Sequence, residues 1–176
     1  MNLDEYSICD GVALADLVRK REISPKELAH LFVEAVEKVN PQINAVIEVF
    51  KDRVEGLDDR VIPAGSFAGV PFLMKDIGAG EGGRLQESGS RLMKGHVVDK
   101  DSFLTSLFKR AGLTIMGRTT TPEFALGVST ESELMGATRN PWNLDTTCGG
   151  SSGGSGASIA AGIVPMARAL NSSLAA

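Results

Sequence analysis

The stretch that decides the fold is CGGSSGGSGASIAAGIVP, which runs from Cys148 to Pro165. Glycine and serine dominate its first half, and a small-residue, largely apolar run from Ala157 to Ala161 follows directly. This order predicts a loop that feeds a buried helix. Glycines let backbone N–H groups converge and a helix N-terminus adds positive potential, so such a loop can hold an anion or a developing oxyanion.

The residues of this loop leave its ligand open. A phosphate-binding loop would need the lysine of a GxxxxGKS or GxxxxGKT motif, or the spacing GxGxxG, and the block has neither. The alternative is a flexible linker without a binding role. It is disfavoured because Pro141-Trp142 precedes the block and a buried-looking helix follows it.

Two helices are predicted upstream. Apolar positions between Gly11 and Lys20 share one helical face. Ser24 and Glu27 form a capping box around Pro25, which suits a first helical position, so a second helix begins there. Asn40-Pro41 is predicted to end it, because the residue before proline is pushed out of the helical region.

Strand patterns follow at residues 44–49, 70–73 and 113–116, and the clearest helix pattern spans Asp101 to Gly112. This alternation predicts an α/β fold with a mainly parallel sheet that helices cover. Lys75 stands at the end of the second strand. The glycine-rich segment from Gly78 to Gly83 is predicted to be either an active-site loop or lid, or a plain surface loop.

Composition and charge disfavour several classes of function. The 176 residues carry a formal net charge of -4 and are 43% hydrophobic, which is typical of a soluble globular protein. The basic residues do not cluster, so we expect no nucleic-acid partner. No stretch is apolar enough for a membrane span and the first ten residues do not resemble a secretion signal, so we expect a cytoplasmic protein without a membrane partner. The cysteines and histidines, Cys9, Cys148, His30 and His96, lack metal-site spacing.

Four blocks in order carry a resemblance to the amidase signature family. They are GVPFLMKD (Gly69 to Asp76), GRTTTPEF (Gly117 to Phe124), GATRNPWNL (Gly136 to Leu144) and GGSSGGSGASIAAGIVP (Gly149 to Pro165). The resemblance implies the amidase-signature fold, a mainly parallel mixed sheet covered by helices with an N-terminal helical hairpin, incomplete in this chain. The sequences of the last two blocks resemble those of bacterial enzymes that hydrolyse aliphatic or cyclic amides, including nylon-oligomer hydrolases.

The resemblance also implies the site. Members of the family cleave carboxamide C–N bonds with a serine–cis-serine–lysine triad, whose lysine falls on Lys75 and whose cis-serine falls on Ser151. A lysine held neutral by burial can take a proton that a second serine relays from the nucleophile. Substrate-binding positions are expected at Gly149, Gly150 and Ser152 in the loop, and at Gly127, Val128 and Ser129. We expect a small-molecule amide as substrate and no cofactor or metal, and homo-oligomers are left open.

The chain departs from the family after Ala167. The family continues there with a glycine-rich block that holds the nucleophilic serine, and that serine would fall near Ala175. Ser172 and Ser173 lack the flanking glycines that turn backbone donors toward an oxyanion. We therefore expect residues 1–167 to be the N-terminal part of a single amidase domain and residues 168–176 to be a tail outside the family. A frameshifted, interrupted or artificially ended reading frame would explain the change.

These observations favour an amidase-family hydrolase, represented by a chain that is inactive alone because it stops before the nucleophile. One alternative is a non-catalytic fragment, or a module that depends on a partner chain for the missing serine. Another is an amidotransferase A-type subunit that releases ammonia, since such subunits share the same motifs.

Overall fold

The computed structural model describes residues 1–169 as an α/β protein. Its helices are α1 (Leu3–Ile8), α2 (Gly11–Arg19), α3 (Pro25–Ile43), α4 (Lys51–Gly56), α5 (Phe103–Arg110) and α6 (Gly153–Ala160). Its strands are β1 (Val46–Val49), β2 (Pro71–Lys75), β3 (Thr114–Thr119), β4 (Glu131–Ser132), β5 (Gly136–Ala137), β6 (Arg139–Asn140), β7 (Asn143–Thr147) and β8 (Met166–Ala167). Short 3-10 turns lie at Arg91–Met93 and Glu123–Ala125.

The main sheet has the strand order β1-β3-β2-β8. β2 is parallel to both β3 and β8, whereas β1 runs antiparallel to β3. The predicted mixed, mainly parallel sheet is confirmed. Every residue of β2 and of β3 is buried, as expected for strands that are covered on both faces. Lys75, the last residue of β2, is in register with Thr119, the last residue of β3, so both strands end at the same level.

The N-terminal helices form as predicted at their starts. Ser24 caps α3 by accepting from the backbone N–H of Glu27, and Glu27 accepts from the backbone N–H of Ser24 in return. Apolar faces of α2 and α3 lie in one core, which includes Leu14, Ala15, Val18, Leu28, Ala29 and Phe32. A fully buried Leu or Phe contributes roughly 1.5–3 kcal/mol relative to an exposed one, so this core holds the helices against the sheet.

The predicted end of the second helix is wrong. Helix α3 continues through Pro41 to Ile43, and Asn44 then ends it in the left-handed conformation. The Asn40 side chain accepts hydrogen bonds from the backbone N–H groups of Ala45 and Val46, each at 2.8 Å. These bonds tie the last turn directly to β1 and offset the local preference of the residue before proline.

The glycine-rich connection after β2 is packed rather than open. Ala79 and Glu81 are buried. The carbonyl oxygen of Gly80 accepts from the Thr105 hydroxyl at 2.7 Å, and the backbone N–H of Gly82 donates to Asp101 at 2.9 Å. This segment is therefore pinned to the start of α5, which does not fit a mobile lid.

Candidate active site

The end of β2 presents a buried amine. Lys75 is only 1% exposed, although a lysine is rarely buried without a partner. Burial, and after it the nearby charge of Arg168, lower the pKa of its amine to about 8. Burial acts this way because it disfavours the charged form of the amine. Lys75 can therefore exchange a proton at mildly alkaline pH.

Two serine hydroxyls meet this amine. The Nζ atom of Lys75 lies 2.8 Å from Oγ of Ser151 and 2.9 Å from Oγ of Ser152, with hydrogen-bond geometry to both. Both serines are buried, and the peptide bond between Gly150 and Ser151 is cis. Ser152 is the N-cap of α6, yet its side chain makes no capping hydrogen bond. The structure thus brings together the two residues that the motifs predicted as catalytic.

Threonines hold the glycine-serine loop in place. The Thr130 hydroxyl accepts from the backbone N–H of Gly153 at 3.1 Å and donates to the carbonyl of Gly149 at 2.8 Å. The Thr121 hydroxyl donates to the carbonyl of Ser151 at 3.2 Å. The loop is consequently fixed on both sides of the serine that faces Lys75.

Comparisons with known proteins agree with this geometry. The family model described as Amidase matches residues 27–169. The chain belongs to the amidase family. It is 43% identical over 160 residues to 6-aminohexanoate-cyclic-dimer hydrolase of Paenarthrobacter ureafaciens, a match that covers 90% of this chain and 32% of the relative. It is 39% identical over 156 residues to a glutamyl-tRNA(Gln) amidotransferase subunit of a Marinomonas species, covering 85% and 32% respectively.

A solved amidase has the same arrangement of elements. The structure of 6-aminohexanoate cyclic dimer hydrolase complexed with substrate superimposes with a TM-score of 0.82 at 42% identity, over 90% of this chain and 33% of that one. This chain therefore has the amidase fold over its described part, and it spans about a third of the length of the curated relatives it matches.

Three further residues predicted for substrate binding, Gly127, Val128 and Ser129, lie near the same loop. A Cβ atom at Gly150 would lie 2.8 Å from the carbonyl oxygen of Gly127 and 2.9 Å from the carbonyl carbon of Val128, so this segment packs directly on the loop. Val128 is 75% exposed. The Ser129 hydroxyl bonds Glu131 and Thr147. Gly127 and Val128 thus pack against the loop, whereas the hydroxyl of Ser129 contacts Glu131 of β4 and Thr147 of β7.

An open cavity adjoins Ser152 of this candidate site. It has a volume of about 310 Å³. Its lining is largely apolar and consists of Asn140, Pro141, Trp142, Cys148, Ser152, Ser155, Gly156, Ala157, Ile159, Ala160 and Ala169. Trp142 is 81% exposed, so the cavity opens to solvent beside the hydroxyl of Ser152.

A buried ion cluster surrounds Asp76, the residue after Lys75, and was missed from the sequence. Arg118 of β3 bonds the carboxylate of Asp76, and it also bonds Glu48 at 2.6 Å and Glu87 at 3.1 Å. Asp76 accepts from the backbone N–H groups of Glu87 and Gly89 as well. Burial raises the pKa of Asp76, against the opposing charge of Arg118. Asp76, which follows Lys75 in the GVPFLMKD block, is the one sequence signal that could have indicated this ion cluster.

Arg168 was also missed, because the sequence assigned it to the tail. It is 5% exposed, and its guanidinium donates to the carbonyl oxygen of Ile77. No local pattern could have shown this contact, since 91 positions separate the two residues. The family position of the nucleophile, Ala175, and the neighbouring Ser172 and Ser173 lie outside the described residues.

Neither a metal centre nor a membrane span is found within residues 1–169. No group of three or more His, Cys, Asp or Glu side chains in this part of the chain is placed to hold a metal ion. None of its helices combines the length and the hydropathy needed to cross a bilayer. Cys9 and Cys148 are free thiols.

Proposed function

We propose that Lys75 and Ser151 are the base and the proton relay of a carboxamide hydrolase. One observation carries this proposal: a buried lysine amine 2.8 Å from the hydroxyl of a buried serine, in a chain of the amidase family. A serine hydroxyl is a weak nucleophile at neutral pH and needs an adjacent base. The lowered pKa of Lys75, about 8, gives it a fraction of free amine that an exposed lysine lacks.

In the proposed mechanism the neutral Lys75 amine takes the proton of the Ser151 hydroxyl. Ser151 takes a proton in turn from the nucleophilic serine as that serine attacks the amide carbonyl. The relay then runs in reverse and protonates the leaving amine, which leaves an acyl-enzyme for water to hydrolyse. A positioned general base of this kind contributes roughly 10²–10⁴-fold in rate.

The glycine-serine loop supplies the proposed substrate contacts. We propose that Gly149, Gly150 and Ser152 contact the substrate from the loop, together with Gly127 and Val128, which pack against Gly150. We propose that a small amide lies across this loop, with its apolar part in the cavity lined by Trp142. The name of the Paenarthrobacter relative, a cyclic-dimer hydrolase, supports cyclic or linear aliphatic amides as the substrate class.

The 176-residue chain is proposed to lack turnover by itself. The family motif places the nucleophilic serine near position 175, which holds alanine. The test is release of ammonia or amine from a panel of small amides by the purified chain, with light scattering to report its assembly. Turnover that both Lys75→Ala and Ser151→Ala abolish would show that the chain is a complete catalyst and would contradict its proposed inactivity.

The relay is tested by restoring a nucleophile. Residues 1–167 are joined to the remaining C-terminal part of the Paenarthrobacter hydrolase, and hydrolysis of the cyclic dimer is measured. We expect an active chimera, with kcat reduced at least about 100-fold by Lys75→Met or by Ser151→Ala.

Ser158→Ala is the matched control for this chimera. Ser158 is a buried serine of α6 whose hydroxyl donates to the carbonyl of Gly154, away from Lys75. Full activity of the Ser151→Ala chimera, or a loss in Ser158→Ala as large as that in Ser151→Ala, would refute the relay.

An amidotransferase component is the second candidate, because the Marinomonas amidotransferase protein is 39% identical to this chain. Such a component would release ammonia from glutamine and pass it on within a complex. The adjoining coding sequence, expressed together with this chain, separates the candidates. Preferential release of ammonia from glutamine favours the amidotransferase, whereas preferential hydrolysis of simple amides favours the stand-alone hydrolase.

A further inference from the structure

Arg168 is built into the sheet beside the candidate relay. Its backbone N–H donates to the carbonyl of Leu73 at 2.8 Å, which extends the pairing of β8 with β2 by one residue. Its own carbonyl oxygen accepts from the Ser155 hydroxyl at 2.6 Å. The backbone of Arg168 is therefore anchored to β2 on one side and to α6 on the other.

The side chain of Arg168 reaches past the end of β2. Its guanidinium donates to the carbonyl of Ile77, and a Cβ atom at Gly78 would overlap it. Within residues 1–169 the Nε atom of Arg168 has no hydrogen-bond partner although it is buried. The backbone contact at Leu73 and the guanidinium contact at Ile77 lie on either side of Lys75 in the chain. The guanidinium thus lies against Ile77 and Gly78, two and three residues after Lys75.

Arginine is a permanent cation in proteins. An unpaired buried N–H on a cation opposes stability, so packing alone does not account for Arg168. Among residues 1–169, the hydroxyls of Ser151 and Ser152 face the Lys75 amine from the loop, and the next residue in the chain, Asp76, pairs with Arg118 on β3. Within the same residues, Arg168 is the cation whose charge acts on the amine.

We propose that Arg168 is a positioning residue that keeps a larger fraction of the Lys75 amine unprotonated by holding a fixed positive charge beside it. This inference rests on the proposed function, in which Lys75 must accept a proton. With a pKa of about 8, roughly a tenth of the amine is free at pH 7, against well under a thousandth for an ordinary lysine. Arg168 therefore acts through Lys75 and need not touch the substrate.

The test measures the protonation of Lys75 directly in the whole 176-residue chain. The protein is labelled with ¹³C,¹⁵N-lysine, and the side-chain signal of Lys75 is assigned by its loss in Lys75→Met. Its pH titration is then compared in Arg168→Gln, which keeps an amide donor for Ile77 and removes the charge, and in Arg168→Lys, which keeps the charge. We expect the Lys75 pKa to rise by roughly one unit in Arg168→Gln and to stay near the parent value in Arg168→Lys.

Arg60→Met is the control for a general loss of one positive charge, since Arg60 pairs with Asp58 on the exposed surface. It should leave the Lys75 titration unchanged. An unchanged Lys75 pKa in folded Arg168→Gln overturns the inference and leaves the relay standing. An ordinary lysine pKa in the parent chain overturns the proposed function itself.

A second variant covers the case in which circular dichroism shows that Arg168→Gln does not fold. Gly78→Ala puts a methyl group where the guanidinium lies, so it should displace the charge of Arg168 while retaining it in the chain. The Lys75 pKa should again rise in Gly78→Ala, and the absence of a rise there counts against the inference.

Discussion

Lys75 donates a hydrogen bond of 2.8 Å to the hydroxyl of Ser151, although 76 positions separate the two residues. Lys75 ends β2, and Ser151 lies in the loop that enters α6. Residues on different elements can be held this closely only if the loop is fixed, and Thr130 and Thr121 fix it. The pair therefore depends on how the elements pack, and its consequences for stability can be measured.

The first prediction concerns stability against pH. The pKa of Lys75 is about 8 in the folded chain, whereas the ordinary pKa of a lysine, expected in the unfolded chain, is 10.5. Between these values the unfolded chain binds more protons, so the free energy of unfolding should rise with pH, by about 3 kcal/mol in total because one pKa unit corresponds to about 1.4 kcal/mol. Urea unfolding at a series of pH values, in the parent and in Lys75→Met, measures this rise.

Lys75→Met removes the titrating amine, so the difference between the two stability curves isolates it from other groups. Below pH 8 the parent carries the whole cost of a buried charge, and above the unfolded pKa that cost is gone. Parallel curves for parent and variant across this window would show that Lys75 is not perturbed.

The second prediction concerns the ion cluster of Arg118. Arg118→Met leaves the buried carboxylate of Asp76 without its cation, and removing one partner of a buried pair costs about 3–5 kcal/mol. Urea unfolding should show a loss of this size. Arg60→Met, which breaks an exposed pair, should leave the unfolding curve close to that of the parent, because solvent screens such pairs. Equal effects of the two substitutions would contradict the structural role of the cluster.

The third prediction concerns the close contact between α6 and Thr120, the residue that follows β3. A Cβ atom at Gly154 would lie 2.6 Å from the backbone nitrogen of Thr120 and 2.7 Å from its carbonyl oxygen, and backbone cannot move aside cheaply. Gly154→Ala should therefore destabilise the fold by roughly 1–3 kcal/mol, the usual cost of overpacking. Its thermal unfolding temperature reports the loss.

Gly56→Ala is the matched control, because within residues 1–169 no atom beyond its own helix and chain neighbours lies within 4 Å of the added methyl group. Alanine is the better helix former by roughly 0.5–1 kcal/mol, so this variant should be as stable as the parent or slightly more stable. A Gly154→Ala variant that unfolds no earlier than Gly56→Ala would mean that the two elements do not meet as described.

The fourth prediction uses the single tyrosine of the chain. Burial raises the pKa of Tyr6 far above its usual value, and the Tyr6 hydroxyl donates to the carbonyl of Ile163 at 2.9 Å. Ultraviolet absorbance should therefore show no tyrosinate in the folded chain at a pH near 10, where the urea-unfolded chain is half ionised. Coincident titrations of the two states would place Tyr6 in solvent.

Much of the fold could be predicted from local signals. The capping box at Ser24 and Glu27 located the start of α3, and the apolar run before Lys75 located β2. These signals act between neighbours in the chain, so they can be read without knowledge of the rest. The local signal at Asn40-Pro41 predicted the end of α3 too early. Helix α3 continues to Ile43 because the Asn40 side chain accepts hydrogen bonds from the backbone N–H groups of Ala45 and Val46, which a local pattern does not show.

The sequence by itself determined the family, through four blocks in a fixed order, and with it the two residues proposed for proton transfer, Lys75 and Ser151. Only the tertiary structure decided that Arg118 pairs with Asp76 and that Arg168 reaches the carbonyl of Ile77. The physical reason is the distance along the chain over which an interaction acts. A glycine-rich loop or a helix cap depends on the backbone preferences of neighbouring residues. A buried charge acquires its burial and its partners from elements that meet only when the sheet has formed, and burial first, then the partners, shift its pKa.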